Sequence, residues 1–147
     1  MPEAQTSLGL LYARGDGVVR DDAEAARLYA LAAAAGDATA QYLLGSAYDT
    51  GTGVPRNPAE AVRLYESAAQ QGYAAAQHDL ALMYGHGRNV RRDWNNALRW
   101  MREAYRDPKI RRFIDRQMTW RIVGVGTLVA LTAGVWWLAR RTSSSRH

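Results

Sequence analysis

The sequence predicts an all-α fold: three repeated helical hairpins followed by a single C-terminal transmembrane helix. Two observations lead there. A 36-residue pattern recurs through the first two thirds of the chain, aligning Tyr12, Tyr48 and Tyr84, then Gly15, Gly51 and Gly87, Val18, Val54 and Val90, and Ala25, Ala61 and Ala97. A segment repeated at a fixed period of this length is an architectural unit. After it, Ile122 to Ala139 runs for eighteen residues without a charge.

Each unit reads as two helices. In unit two, helix A is expected from about Ala38 to Asp49, with Leu44 and Tyr48 on one stripe and Ala40 and Ala47 beside them. Gly51 suits the left-handed residue that closes a helix, Gly53 permits a second sharp turn, and Val54 plugs the loop. Pro55 blocks helical continuation. Asn57 is the expected N-cap of helix B, with Pro58 at its first position and Glu60 three residues past the cap. Helix B should turn Ala61, Leu64, Tyr65, Ala68 and Ala69 inward and end at Gly72. Across the units Asp21, Asn57 and Asp93 share the cap slot. Gly17 and Gly53 are matched by Asn89, the residue that best tolerates a left-handed backbone after Gly. Gly9, Gly45 and Ala81 mark where two helices approach closely. The glycines of the first loop are therefore turns. A phosphate-binding loop is used once, and no Lys-Ser/Thr pair follows these glycines.

These residues resemble Sel1-like repeats, relatives of the tetratricopeptide family. In unit one the pattern appears as Ala4, Leu8, Gly9, Tyr12, Gly15, Gly17, Val18, Asp21, Ala25, Leu28, Tyr29, Ala32, Ala33 and Gly36. Unit three departs from it at Ala81, Asn89, Trp100, Met101 and Pro108, as a terminal unit would. The resemblance covers residues 1–108, in repeats of about 2–37, 38–73 and 74–108. It implies a short right-handed α-solenoid that acts as an adaptor or scaffold, not an enzyme, with helix A lining the concave face. The variable positions of helix A, Thr6, Leu10, Tyr42, Ser46, His78 and Leu82, are then the expected partner contacts.

The C-terminal part has different surroundings. Residues 1–90 carry six arginines against ten acids, a net of −4; residues 91–147 carry twelve arginines and Lys109 against four acids, a net of +9. Residues 109–121 read as a basic juxtamembrane helix. Residues 122–139 would span about 27 Å as a helix, close to the bilayer core of about 30 Å. Trp120 lies at one end, Trp136 and Trp137 at the other, where indoles suit the two interfaces. Arg112, Arg116, Arg121, Arg140 and Arg141 are expected at lipid headgroups, anionic ones above all. Eight basic residues lie between Arg99 and Arg121 against three arginines after Ala139, so the repeats should face the cytoplasm or the mitochondrial matrix. Within the span Gly126, Ala130 and Gly134 form a smooth stripe suited to a second transmembrane helix. Residues 140–147 form a short polar tail, which makes the protein tail-anchored in a bacterial or mitochondrial inner membrane. Met1 to Gly9 belongs to the first repeat, leaving no room there for a leader.

Nothing points to catalysis. The chain has no cysteine, hence no disulfide, thiolate site or cysteine nucleophile. His78, His86 and His147 form no metal-ligand set. Neither cofactor nor nucleic acid is expected. The partners are other protein subunits, including at least one transmembrane helix, and membrane lipid. The protein is expected to be an accessory or assembly subunit of a larger membrane complex, such as a respiratory complex; a tail-anchored adaptor for a soluble client is the alternative.

Overall fold

The computed structural model of this chain describes the backbone of residues 1–125 and the side chains of residues 1–116. Its seven described helices are α1 (Pro2–Arg14), α2 (Asp22–Ala34), α3 (Ala38–Thr50), α4 (Pro58–Gln70), α5 (Ala74–His86), α6 (Trp94–Ala104) and α7 (Pro108–Val125). Met1–Ile110 form the first of two compact units. Within the first unit each helix packs on the next, α1 on α2 through α5 on α6, so the six helices form three hairpins in an all-α solenoid.

The chain turns where its backbone chemistry dictates. Each helix A closes on a glycine in the left-handed region, Gly15, Gly51 and Gly87, with φ of 73°, 77° and 71°. Each loop is then pinned by one recurring bond, from the backbone N–H of Asp21, Asn57 and Asp93 to the carbonyl of Tyr12, Tyr48 and Tyr84. The same three residues cap helix B. Asp21 accepts from the N–H of Ala23 and Glu24, Asn57 from Glu60, and Asp93 from Asn95 and Asn96. The reciprocal half of a capping box is not made in unit two, because the Glu60 carboxylate turns outward and pairs with Arg63. Asp37 adds a cap on α3 that the sequence reading did not assign, accepting from the N–H of Thr39 and Ala40.

Burial follows the expected stripes. On α4 the buried residues are Ala61, Leu64, Tyr65, Ala68 and Ala69. On α3 they are Ala40, Leu44, Gly45 and Ala47, with Tyr48 half-buried between the two core clusters. The close approaches fall where small residues stand. A methyl at Gly9 would lie 2.6 Å from Cε1 of Tyr29, and one at Gly45 would lie 3.1 Å from Tyr65. In unit three the same two slots hold Ala81 and Met101: a larger residue on helix A faces a thinner one on helix B. Gly53 has a second duty beyond its turn, since a methyl there would overlap the carbonyl of Asp22 in the preceding unit. Asn89 fills the matching loop position of unit three at φ 62°.

The closing-glycine slot of unit three holds Pro108, which opens α7 behind Asp107; the Asp107 carboxylate accepts from the N–H of Lys109 and Ile110. The backbone stays helical from Pro108 to Val125, through the basic stretch and into Ile122–Val125. No helix among the described residues is long and apolar enough to cross a membrane. The remaining residues of the expected span, from 126 to 139, and the tail lie outside the described residues.

Candidate interaction surface

The six helix A positions expected at a partner surface occupy three different environments. Thr6 is a correction. It is 5% exposed, and its hydroxyl lies 2.8 Å from Oδ2 of Asp37 and 3.1 Å from the carbonyl of Pro2. That side chain braces α1 against the cap of α3 and presents nothing to a partner. Leu10 is half-buried against the core cluster of Ala25, Ala26 and Tyr29. Leu82 is exposed at 38%.

Tyr42, Ser46 and His78 are half-buried, and two of them gather around one carboxylate. The Tyr42 hydroxyl donates to Oδ2 of Asp79 at 3.0 Å, while Nδ1 of His78 lies 3.4 Å from Oδ1 of the same residue. The Tyr42 ring sits 5.1 Å from that of Tyr73 and 5.6 Å from that of Tyr65, both tilted, at aromatic contact distance. Burial pushes the Tyr42 phenol well above its ordinary value, and the negative charge and hydrogen bond of Asp79 push it further. Tyr65 is raised to about 12, first by burial and then by the charge of Asp49. The patch therefore offers neutral phenols around an acid. It can receive hydrogen-bond donors or a cationic side chain. Among the described residues no three His, Cys, Asp or Glu side chains stand close enough to hold a metal ion.

A second surface was not singled out in the sequence. Trp94, Leu98 and Leu82 are exposed at 56%, 63% and 38% and line one apolar groove with Ala81, Gly85, His86, Ala97 and Met101. Trp94 stands outside the core, and its ring carries the guanidinium of Arg92 at 4.3 Å from its centroid. The signal was present: Trp94 stands in register with Asp22 and Pro58, and Leu98 with Ala26 and Val62. At both places unit three carries a larger apolar residue than either of the other units. Of the arginines expected at lipid, Arg112 and Arg116 are exposed on α7, and Arg121 lies within the same helix. Gly126, Ala130, Gly134, Arg140 and Arg141 lie outside the described residues.

Hairpins of constant length, stacked in order and closed by the same glycine and cap at a 36-residue interval, define an α-helical repeat protein. The Sel1 repeat model matches residues 2–37, 38–73 and 74–107, and the chain belongs to the Sel1 repeat family. Sel1 repeats generally mediate protein–protein interaction. Among solved structures the chain is similar to a Sel1 repeat protein from Oxalobacter formigenes, with 37% identity, a TM-score of 0.69, and coverage of 71% of this chain and 43% of that one. It is also similar to c5321, a protective antigen of uropathogenic Escherichia coli displaying an SLR fold, with 30% identity, a TM-score of 0.74, and coverage of 97% of this chain and 30% of that one. The chain thus spans less than half the length of either protein. No curated protein matches it.

Proposed function

We propose that the protein is a non-enzymatic, membrane-anchored interaction module, an accessory or assembly subunit of a larger membrane protein complex such as a respiratory complex. The observation that carries the interaction half is the exposed apolar groove of hairpin three, where Trp94 and Leu98 present apolar side chains to solvent that are larger than their counterparts in the first two hairpins. Half-buried Tyr42, with Asp79 beside it, gives the same stack a polar recognition patch.

Support for the membrane half lies in the order of the sequence. Lys109, Arg111, Arg112 and Arg116 lead to Trp120 and Arg121, and the uncharged stretch Ile122–Ala139 follows directly. The helix of the basic part continues into the first four residues of that stretch. This reading places the repeats on the cytoplasmic or matrix face of an inner membrane, with Arg112, Arg116 and Arg121 at anionic headgroups. It gives the stripe Gly126, Ala130 and Gly134 to a partner's transmembrane helix.

Two measurements test the proposal. After cell breakage and high-speed centrifugation the protein should pellet with membranes, resist carbonate and high salt, and be released by detergent. On a native gel in mild detergent it should migrate with a large complex at fixed stoichiometry. Release by salt alone would overturn the anchor. Migration alone, or with one salt-sensitive soluble client, would favour a membrane-tethered adaptor.

A further inference from the structure

The stack shows, in two copies, what covers the outer face of a helix A. On α3 the residues Ala40, Leu44 and Ala47 are buried, and α2 of the preceding hairpin packs on that helix. On α5 the residues Ala76, Leu80 and Met83 are each 0% exposed, and α4 packs there. The same three slots on α1 hold Ala4, Leu8 and Leu11. Ala4 is exposed, Leu8 is 41% exposed and Leu11 is 42% exposed. A helix that closes the end of a solenoid has a polar outer face. This one carries the apolar residues of an internal helix.

A polar rung recurs beside those residues and leads to the same place. Gln77 donates its side-chain amide to the carbonyl of Ala69 at 3.0 Å, and Gln41 donates to the carbonyl of Ala33 at 3.4 Å. Both acceptors lie in the last turn of the preceding helix B. Gln5 stands in register with both, and its amide makes no hydrogen bond among the described residues. Leucines and a glutamine that twice meet the second helix of a preceding hairpin are set out a third time on α1.

We propose that the face formed by Ala4, Gln5, Leu8 and Leu11 is a docking surface for the second helix of a further Sel1-type hairpin, seated in the 36-residue register with the carbonyl of its last turn on Gln5. The occupant presents an alanine-rich helix. A second copy of this chain does not supply one at its last hairpin, because α6 places Leu98 and Tyr105 where α2 has Ala26 and Ala33 and α4 has Val62 and Ala69. The proposal concerns the repeat stack and stands or falls independently of the membrane anchor.

The test adds the occupant in register. A full-length chain is extended by a second copy of residues 2–37 placed ahead of Pro2, and thermal midpoints are compared with those of the unextended chain. The extension should raise the midpoint by about 5 °C or more, since one more nearest-neighbour interface is formed. Leu8→Asp should lower the extended chain by about 10 °C and the unextended chain by no more than about 2 °C. If that variant of the extended chain does not fold, Gln5→Ala serves instead: it should lower the extended chain by a few degrees and leave the unextended chain unchanged. Equal effects in both chains, or an extension that fails to raise the midpoint, would overturn the docking surface. So would a dimer of the unextended chain, seen in sedimentation, that Leu8→Asp dissociates, since a second copy would then hold the face.

Discussion

Placing a methyl group on the three buried helix A glycines sets helix propensity against steric overlap, and the structure ranks the outcomes. In a helix interior Gly→Ala gains up to about 1 kcal/mol from propensity alone. At Gly9 the new Cβ would stand 2.6 Å from Cε1 and 2.9 Å from Cδ1 of Tyr29, with the Ala25 carbonyl at 3.3 Å. Ordinary carbon contacts begin near 3.5 Å, so the ring would have to move by almost an ångström. Tyr29 is 5% exposed and packs in the cluster of Ala25, Ala26, Leu44 and Leu64, so its displacement disturbs the core. Overpacking of that kind costs about 1–3 kcal/mol, which leaves Gly9→Ala destabilised by roughly 1 kcal/mol after the propensity gain. At about 4 °C per kcal/mol for a unit of this size, the midpoint should fall by about 4 °C. Gly45→Ala meets Tyr65 at 3.1 Å and needs only a few tenths of an ångström, so the two effects should nearly cancel. Gly85→Ala meets Trp94 at 3.6 Å and Ala97 at 3.8 Å, ordinary contacts, so propensity should win and raise the midpoint by up to about 4 °C. Thermal and urea unfolding followed by circular dichroism read the series. The chain's own Ala81 and Met101 supply a further control: in a Tyr29→Met background the cost of Gly9→Ala should largely vanish. A Gly9→Ala midpoint at or above that of the parent, or the same loss with Met at position 29, would refute the steric reasoning.

Three other outcomes are expected. Asp37→Ala removes the cap of α3 and the acceptor of Thr6 together, and should cost about 1–2 kcal/mol in urea unfolding, more than Thr6→Val does. Tyr65 and Tyr84 are each raised to about 12, and Tyr29 and Tyr42 are raised as well, chiefly by burial; the folded state holds these phenolic protons more tightly than the unfolded chain. Their contribution is therefore intact below the ordinary tyrosine value near 10 and is lost between about pH 10 and 12, so helicity and phenolate absorbance should change together in that window. Leu98→Glu, at a side chain 63% exposed, should leave the thermal midpoint within about 2 °C yet reduce partner recovery from mild detergent. Unchanged recovery would remove the groove from the interaction surface.

The parts of the fold legible in the sequence were those that rest on local chemistry repeated three times. Left-handed glycines, cap residues and the inward stripe of α4 follow from rules acting within a few residues, and the 36-residue period tied three weak signals into one. Contacts between hairpins were harder to read. Thr6 looked like a free helix A position because its acceptor, Asp37, lies one hairpin away. Glu60 satisfied the spacing of a capping box, but Arg63 one turn later is a stronger partner for its carboxylate. The period did print the glutamine rung at positions 5, 41 and 77, yet a polar residue on a helix gives no hint from sequence that its amide reaches a neighbouring carbonyl. Of the candidate surface, Leu82 was named and Trp94 was not, since a tryptophan within a repeat is ordinarily core.

Replacing a loop glycine by Asn89 does more than tolerate an awkward backbone angle. Its side-chain amide donates to Oδ1 of Asp49 at 2.6 Å and its oxygen accepts from Arg56 at 3.4 Å, while Arg88 beside it pairs with the same aspartate at 3.3 Å. A glycine there would relax the turn and remove two of the polar ties between the last hairpin and its neighbour, leaving those of Arg88 with Asp49, Gln77 with Ala69, Tyr42 with Asp79 and Tyr84 with Glu66. With asparagine the turn works as a latch, so hairpins two and three should unzip as a single cooperative block and their amides should exchange with solvent at a shared rate. Asn89→Gly would loosen that block, so the amides of the last hairpin should exchange faster than those of hairpin two.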